Sequence, residues 1–299
     1  MRIVFIGCVK FSQSMLEVLI EINANVIGVC TLESSEYNSD HVDLTEIAAN
    51  SDIPVIYGPN INSETVSRWV ANLAPDIIFC FGWSRLIQKE LLSKAPMGVL
   101  GYHPSALPRN RGRHPIIWAL ALGLKKTGST FFFMDEEPDS GDIVSQKTCL
   151  IDASDDAGSL YEKLTMVAVN QLKILVYELQ TGTFNRLAQD RSIANDWRKR
   201  SKADGLIDWR MSAKSIFNLT RALCPPYSGA SFVHKKQEFK LWKAVVWGDR
   251  APGYEEPGKV IDIQNGFPII QTGYGAVKLI EVFPKLDIEV GNYMQKSEK

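Results

Sequence analysis

The sequence predicts an α/β fold: a Rossmann-like, mostly parallel sheet with helices on both faces, followed by a smaller C-terminal β-rich, OB-like domain. Three observations carry this. The first hundred residues alternate short apolar runs rich in β-branched residues with segments of helical spacing. Those runs are apolar throughout, as strands buried on both faces are. Beyond about residue 200 the texture changes to short β-rich segments punctuated by glycine and proline. A chain of 299 residues with 45% hydrophobic content supplies a core for each of two domains, expected at 1–200 and 201–299.

Taken in order, RIVFIG is a compact strand ending at Gly7, FSQSMLEVLIEI a helix and NVIGVCT a second strand, which makes a β-α-β opening. IPVIYG and PDIIFCFG add strands around the helical SETVSRWVANLA. GVLGYHP leads into the helical PIIWALALGL, read as a core helix. TGSTFFFMDEEPDSGDIVSQKTCLI then reads as two strands around an acidic, glycine-containing loop. SLYEKLTMVAVNQLKILVYELQTG is a long amphipathic helix stopped by Gly182. GASFVHKKQEFKLWKAVVW, GKVIDIQNGFPIIQTG and AVKLIEVFP supply the strands of the second domain. In such a sheet ligands bind at the C-terminal ends of the strands. GCVKFS after the first strand lacks the G-x-G-x-x-G pattern, so a dinucleotide is not expected.

Lys+Arg of 33 against Asp+Glu of 34 gives no global basic field, so extended nucleic-acid binding would need a local patch. The clearest patch, WRKRSK at 197–202, reads equally well as a solvated linker. No run reaches the roughly 18 to 20 apolar residues of a membrane span. MRIVFIG lacks the apolar core and cleavage site of a signal peptide, so a cytoplasmic location is expected. The five cysteines are odd in number, scattered and set in apolar segments, which reads as reduced buried thiols rather than disulfides or a metal cluster.

GYHPSALPRNRGRHP, residues 101–115, sets His103 directly after a buried strand, on a loop carrying three arginines within five positions. A lone histidine beside a proline reads as structural. Asp139, in EEPDSGD on a second loop of the same domain, changes that reading, because Pro138 and Gly141 give it turn chemistry that aims a carboxylate inward. A carboxylate beside an imidazole favours the charged ring, so the pair can take up or release a proton. Glu136 reads as part of a solvated acidic loop.

At these residues the sequence resembles the folate-dependent formyltransferase family, which includes methionyl-tRNA formyltransferase and the nucleotide-sugar N-formyltransferases. The family pattern Asn-x-His-x-Ser-x-Leu-Pro, followed by Arg-Gly and a Pro-x-x-Trp-Ala helix start, is met by GYHPSALP, RG and PIIWAL, and its Asp-x-Gly loop by DSG at Asp139. DGLIDWRMSAKSIFNLTRAL with PPYSGASF is similar to the family's second domain. The resemblance implies N10-formyltetrahydrofolate as co-substrate, no metal, and a primary amine as acceptor. It gives His103 oxyanion stabilisation and proton transfer, and Asp139 the orientation of the ring and collection of the amine's proton. It lays the pterin against FGWSRLI, with Trp83, Arg85, Leu86 and Ile87 beside it and the backbone of the 135–139 loop, including Asp135 and Glu137, reading its edge. Ser105 and the Leu107–Pro108 turn would shape the loop around the formyl carbon.

One position departs from the pattern. The family asparagine two residues before the histidine, whose amide helps hold the formyl oxygen, is Gly101 here. Loss of one such donor commonly costs about 10²- to 10³-fold in rate. Either activity is crippled or another donor has taken over, the candidates being Asn110 on the same loop, water and His103 itself.

For the acceptor, methionyl-tRNA formyltransferases carry a basic insertion after the second strand, where this chain has TLESSEYNSDHVDLTE with no lysine or arginine. A nucleotide-linked amino sugar is therefore expected, and tRNA and membrane are not; a homodimer is left open. Arg111, Arg113 and Arg200 are the candidates for contacting its diphosphate. The alternatives are a methionyl-tRNA formyltransferase and a non-catalytic folate- or nucleotide-binding relative, the latter suggested by Gly101. Glycinamide ribonucleotide formyltransferase, which normally lacks the second domain, fits less well.

Overall fold

The computed structural model describes residues 1–36, 38–248 and 255–294; Tyr37, inside the acidic 31–46 stretch, lies outside them. The backbone groups into two compact units, Met1–Pro115 with Thr127–Cys149 and Glu162–Trp197, and Ile116–Lys126 with Leu150–Tyr161 and Arg198–Lys299.

In the first half of the chain the elements are β1 (Ile3–Ile6), α1 (Lys10–Glu21), β2 (Val26–Thr31), α2 (Thr45–Ala49), β3 (Val55–Tyr57), α3 (Glu64–Leu73), β4 (Ile77–Cys80), α4 (Lys89–Leu92) and β5 (Val99–His103). The short β6 (Arg111–Gly112), α5 (Pro115–Ala121), β7 (Lys126–Phe133), β8 (Ile143–Leu150) and the long α6 (Ala157–Thr181) follow. A seven-stranded sheet runs β3-β2-β1-β4-β5-β7-β8. Its first five strands are parallel and β7 lies antiparallel to β5. β1 is 0% exposed along its whole length, as expected of a central strand covered on both faces. Val4, Ile6, Cys30, Val66, Val70, Ile78 and Val99 form one core cluster, with Trp83, Ile87 and Met134 packed against it.

The turn after β1 is closed by the chain itself. Ser12 Oγ accepts from Cys8 N (3.1 Å) and Val9 N (3.2 Å) and donates to Phe81 O (2.6 Å). The N–H groups of the turn that leads into α1 are therefore satisfied by a serine of that helix.

The two-residue β9 (Asp196–Trp197) pairs in parallel with β6. In the second unit, α7 (Ala213–Ala222) starts on Ser212, whose side chain accepts from Ser215 N at 3.0 Å. Strands β10 (Ala230–His234), β11 (Gln237–Val246), β12 (Val260–Gln264), β13 (Phe267–Gln271) and β14 (Ala276–Phe283) form an antiparallel sheet ordered β10-β11-β14-β13-β12, on which α7 packs through β11 and β14. Phe232 and Phe239 are register partners and stack at 5.4 Å, with Trp209 edge-on to Phe232. Among the described residues no helix is long and apolar enough to cross a membrane.

Candidate active site

His103 is the last residue of β5, where the register pairs it with Thr130 and Gly101 with Phe132. Beyond it the chain is folded back by its own polar groups. Ser105 N donates to His103 O (2.9 Å), Ser105 Oγ to Arg109 O (3.0 Å), and Thr130 Oγ1 to Ser105 O (2.6 Å). Gln146 Nε2 donates to Leu107 O (2.8 Å), ahead of a cis Leu107–Pro108 bond. This brings Asn110, at φ 62°, over the imidazole.

The contact that results orients the ring. His103 Nε2 lies 2.9 Å from Asn110 O, and a carbonyl can only accept, so Nε2 carries a hydrogen. Nδ1 is thereby turned to Asp139 Oδ2 at 3.7 Å, within ion-pair range and longer than a direct hydrogen bond. Asp139 sits at φ 56°, a conformation unusual for a non-glycine residue and common at functional sites, and its Oδ2 accepts from Gly112 N at 2.9 Å. Its side chain is 21% exposed against 7% for His103, so Asp139 is the outward member of the pair.

The acidic loop is held by Asp135, whose Oδ1 accepts from Glu137 N (3.0 Å) and Ser140 Oγ (2.6 Å). Gly141 is required there, because a Cβ would lie 1.9 Å from Phe133 O. A third segment binds both loops. Leu187 exchanges backbone bonds with Ile143, Gln189 reaches Asp139 and Arg111, and Asn195 bonds Arg111 N through its carbonyl and Asn110 N through its side chain. Sequence reasoning missed Gln189 and Asn195, which lie in a polar stretch without periodicity.

The remaining candidates separate by environment. Trp83 follows Gly82, at φ 68°, and its indole Nε1 is buried and has no hydrogen-bond partner among the described residues. Ile87 packs beside it on the core, whereas Leu86 is exposed and Arg85 bonds Pro59 O. Ser105 and Leu107 are buried, the latter against Phe132 and Ile143, so both shape the loop from within. Glu137 is paired with Arg191 at 3.0 Å.

The arginines do not behave as one cluster. Arg111 is 4% exposed; its Nε and Nη2 donate to Gln189 Oε1 and its Nη1 lies 3.9 Å from Glu137 Oε1, so it acts as a buried strut. Arg113 is exposed and reaches Ser84 O at 3.0 Å, tying the histidine loop to the Trp83 loop. Arg200 belongs to the second unit, where it lies 4.7 Å from the Trp118 ring and donates to Asp204 O. Asn110 meets His103 through its backbone carbonyl. The space over Gly101 is taken by Met134, whose Cε and Cγ would lie 2.7 and 3.0 Å from an added Cβ.

The fold is shared with several solved structures at low identity. WlaRD, a sugar 3N-formyl transferase studied with dTDP and 5-N-formyl-THF, aligns with a TM-score of 0.72 and 19% identity over 96% of this chain and 99% of its own. An N-formyltransferase from Helicobacter canadensis, in complex with folinic acid and dTDP-3-aminofucose, aligns at 0.72 and 18% over 93% and 98%. HypX from Aquifex aeolicus, in complex with tetrahydrofolic acid, aligns at 0.64 and 20% over 94% of this chain and 44% of its own. The formyl transferase family model matches residues 1–176 and the model of the formyl transferase C-terminal domain residues 199–295. With both halves of the sequence accounted for in this way, the chain belongs to the formyl transferase family.

Proposed function

We propose that this protein transfers a formyl group from N10-formyltetrahydrofolate to the primary amine of a nucleotide-linked amino sugar in the cytoplasm, with 1–200 as catalytic domain and 201–299 as its β-rich companion. The observation that carries the reading is the His103–Asp139 pair, fastened at the end of β5 on a loop that Arg113 ties to Trp83. The orphan Trp83 Nε1 fits a ligand that offers an acceptor there, as a pterin does. When bound, the folate supplies an activated formyl carbon. Asp139, the outward carboxylate, is placed to collect the proton that the attacking amine gives up, and His103 Nδ1 to pass it to the folate nitrogen as the bond between that nitrogen and the formyl carbon breaks. General base catalysis of this kind contributes about 10²- to 10⁴-fold. The exposed Arg113 is the cation for the acceptor's diphosphate.

A nucleotide sugar is supported by the dTDP compounds bound to the similar structures and by the lack of lysine and arginine in 31–46, where tRNA phosphates would need them. The test is tetrahydrofolate release with dTDP-, UDP- and GDP-linked amino sugars and with initiator tRNA. Turnover is expected with a nucleotide sugar only, and His103→Asn should lower it by about 10²-fold or more while donor binding persists. Formylation of tRNA, or normal turnover by His103→Asn, overturns the reading. The second reading, a non-catalytic folate- or nucleotide-binding relative, is favoured by Met134 standing over Gly101. Tight folate binding with no transfer to any acceptor would establish it.

A further inference from the structure

Gln189 is half-buried while its neighbours Ala188 and Asp190 are exposed. Its Nε2 donates to Asp139 O (2.9 Å) and Gly141 O (2.7 Å), and its Oε1 accepts from Arg111 Nε (3.2 Å) and Nη2 (2.8 Å). Both hydrogens and both lone pairs of the amide are used. The partners also dictate its orientation, since a turned amide would face donors with donors and carbonyls with a carbonyl. The two carbonyls flank Ser140, so these bonds hold the backbone that puts Asp139 at φ 56°. Arg111 adjoins Gly112, whose N–H is bonded to the Asp139 carboxylate at 2.9 Å. One amide thus fixes the loop that bears Asp139 and, through Arg111, the strand that receives its side chain.

We infer that Gln189 is a positioning residue for formyl transfer, setting the aim of Asp139 on His103. The inference rests on the reading of that pair as the reacting groups. It predicts a dependence on the two donated bonds rather than on bulk or burial. Gln189→Glu is nearly isosteric and keeps the acceptor for Arg111, but offers no donor to Asp139 O or Gly141 O when ionised. Gln189→Asn keeps the donor on a shorter arm, and serves if the first variant fails to fold.

The experiment pairs NMR of the histidine ring protons in the full chain with steady-state kinetics. The sequence holds four histidines, so His103 is assigned by its loss in His103→Gln. Gln189→Glu should displace the His103 ring resonances, as Asp139→Asn does, with the other three unmoved. It should also lower kcat by about 10- to 100-fold, the cost of a misplaced reacting group, with KM for both substrates within about threefold. His103 resonances that superimpose on the parent's, or an unchanged kcat, overturn the inference. If the parent itself transfers no formyl group, the proposed function fails, while the spectra still decide whether Gln189 aims Asp139.

Discussion

Gly101→Asn is the perturbation with the most direct structural forecast. The backbone at 101 is ordinary strand, so a side chain is not refused by conformation; it is refused by space. An added Cβ would lie 2.7 Å from Met134 Cε, 3.0 Å from Met134 Cγ and 3.1 Å from Phe132 Cζ. The thioether end can swing aside, whereas Phe132 is 1% exposed and fixed by its register opposite Gly101. Overpacking of this kind costs about 1–3 kcal/mol. A buried amide without a partner adds about 1–3 kcal/mol. A total near 3 kcal/mol corresponds to a fall in Tm of roughly 6–12 °C for a domain of this size. The assay is thermal unfolding of the parent, Gly101→Asn, Met134→Ala and the double variant. In that cycle the two changes should couple by about 1 kcal/mol or more, because Met134→Ala clears the space the asparagine needs. Formyl transfer is measured on the same four proteins. Only the double variant should gain turnover, by up to about 10²-fold if the amide then serves as an oxyanion donor. A Gly101→Asn protein as stable as its parent, or strict additivity across the cycle, refutes the packing argument.

Two further expectations follow from buried groups. Trp83→Phe removes the orphan indole N–H, so it should leave the ligand-free protein as stable or more stable by up to about 1 kcal/mol while weakening folate binding about tenfold; a loss of stability without a loss of affinity contradicts the assignment. Burial pushes the Cys8 and Cys30 thiols up from 9.0 to about 12, helped for Cys8 by Asp40 and for Cys30 by Cys8, so an aromatic disulfide reagent should label neither at pH 8 in the folded state. Because the unfolded thiols lose their protons first, the associated stability is intact below about pH 9 and falls as pH rises toward 12. Rapid native labelling of Cys8 or Cys30, or an alkaline limb of the stability curve absent in this range, counts against it.

The parallel strands of the first sheet were legible because burial on two faces writes itself as uninterrupted apolar runs, those of the second sheet by the glycine and proline turns between them, and Gly182 marked the end of α6 through the turn it permits. The place of His103 at the end of a strand, and of Asp139 on the loop between two strands, was legible. Three arginines on a loop look alike in a sequence, and only the fold puts Arg111 inside at 4% exposure while Arg113 stays out. The contact of Met134 with Gly101 depends on the antiparallel register of β5 with β7, which no local pattern encodes. Gln189 and Asn195 act across 50 and 85 residues through side-chain hydrogen bonds, and such contacts leave no periodic trace.

The fastening of the two loops by residues 187–197 also has a consequence for synthesis. A nascent chain that has emerged through Thr181 has delivered every strand of the seven-stranded sheet, both loops and all of α6. It has not yet delivered Gln189, Asn195 or Trp197, the partners that close the loops on one another. The arrangement of the two loops is therefore a late event in a fold whose scaffold is early. A fragment ending at 181 should collapse around its sheet and still lack the aimed carboxylate.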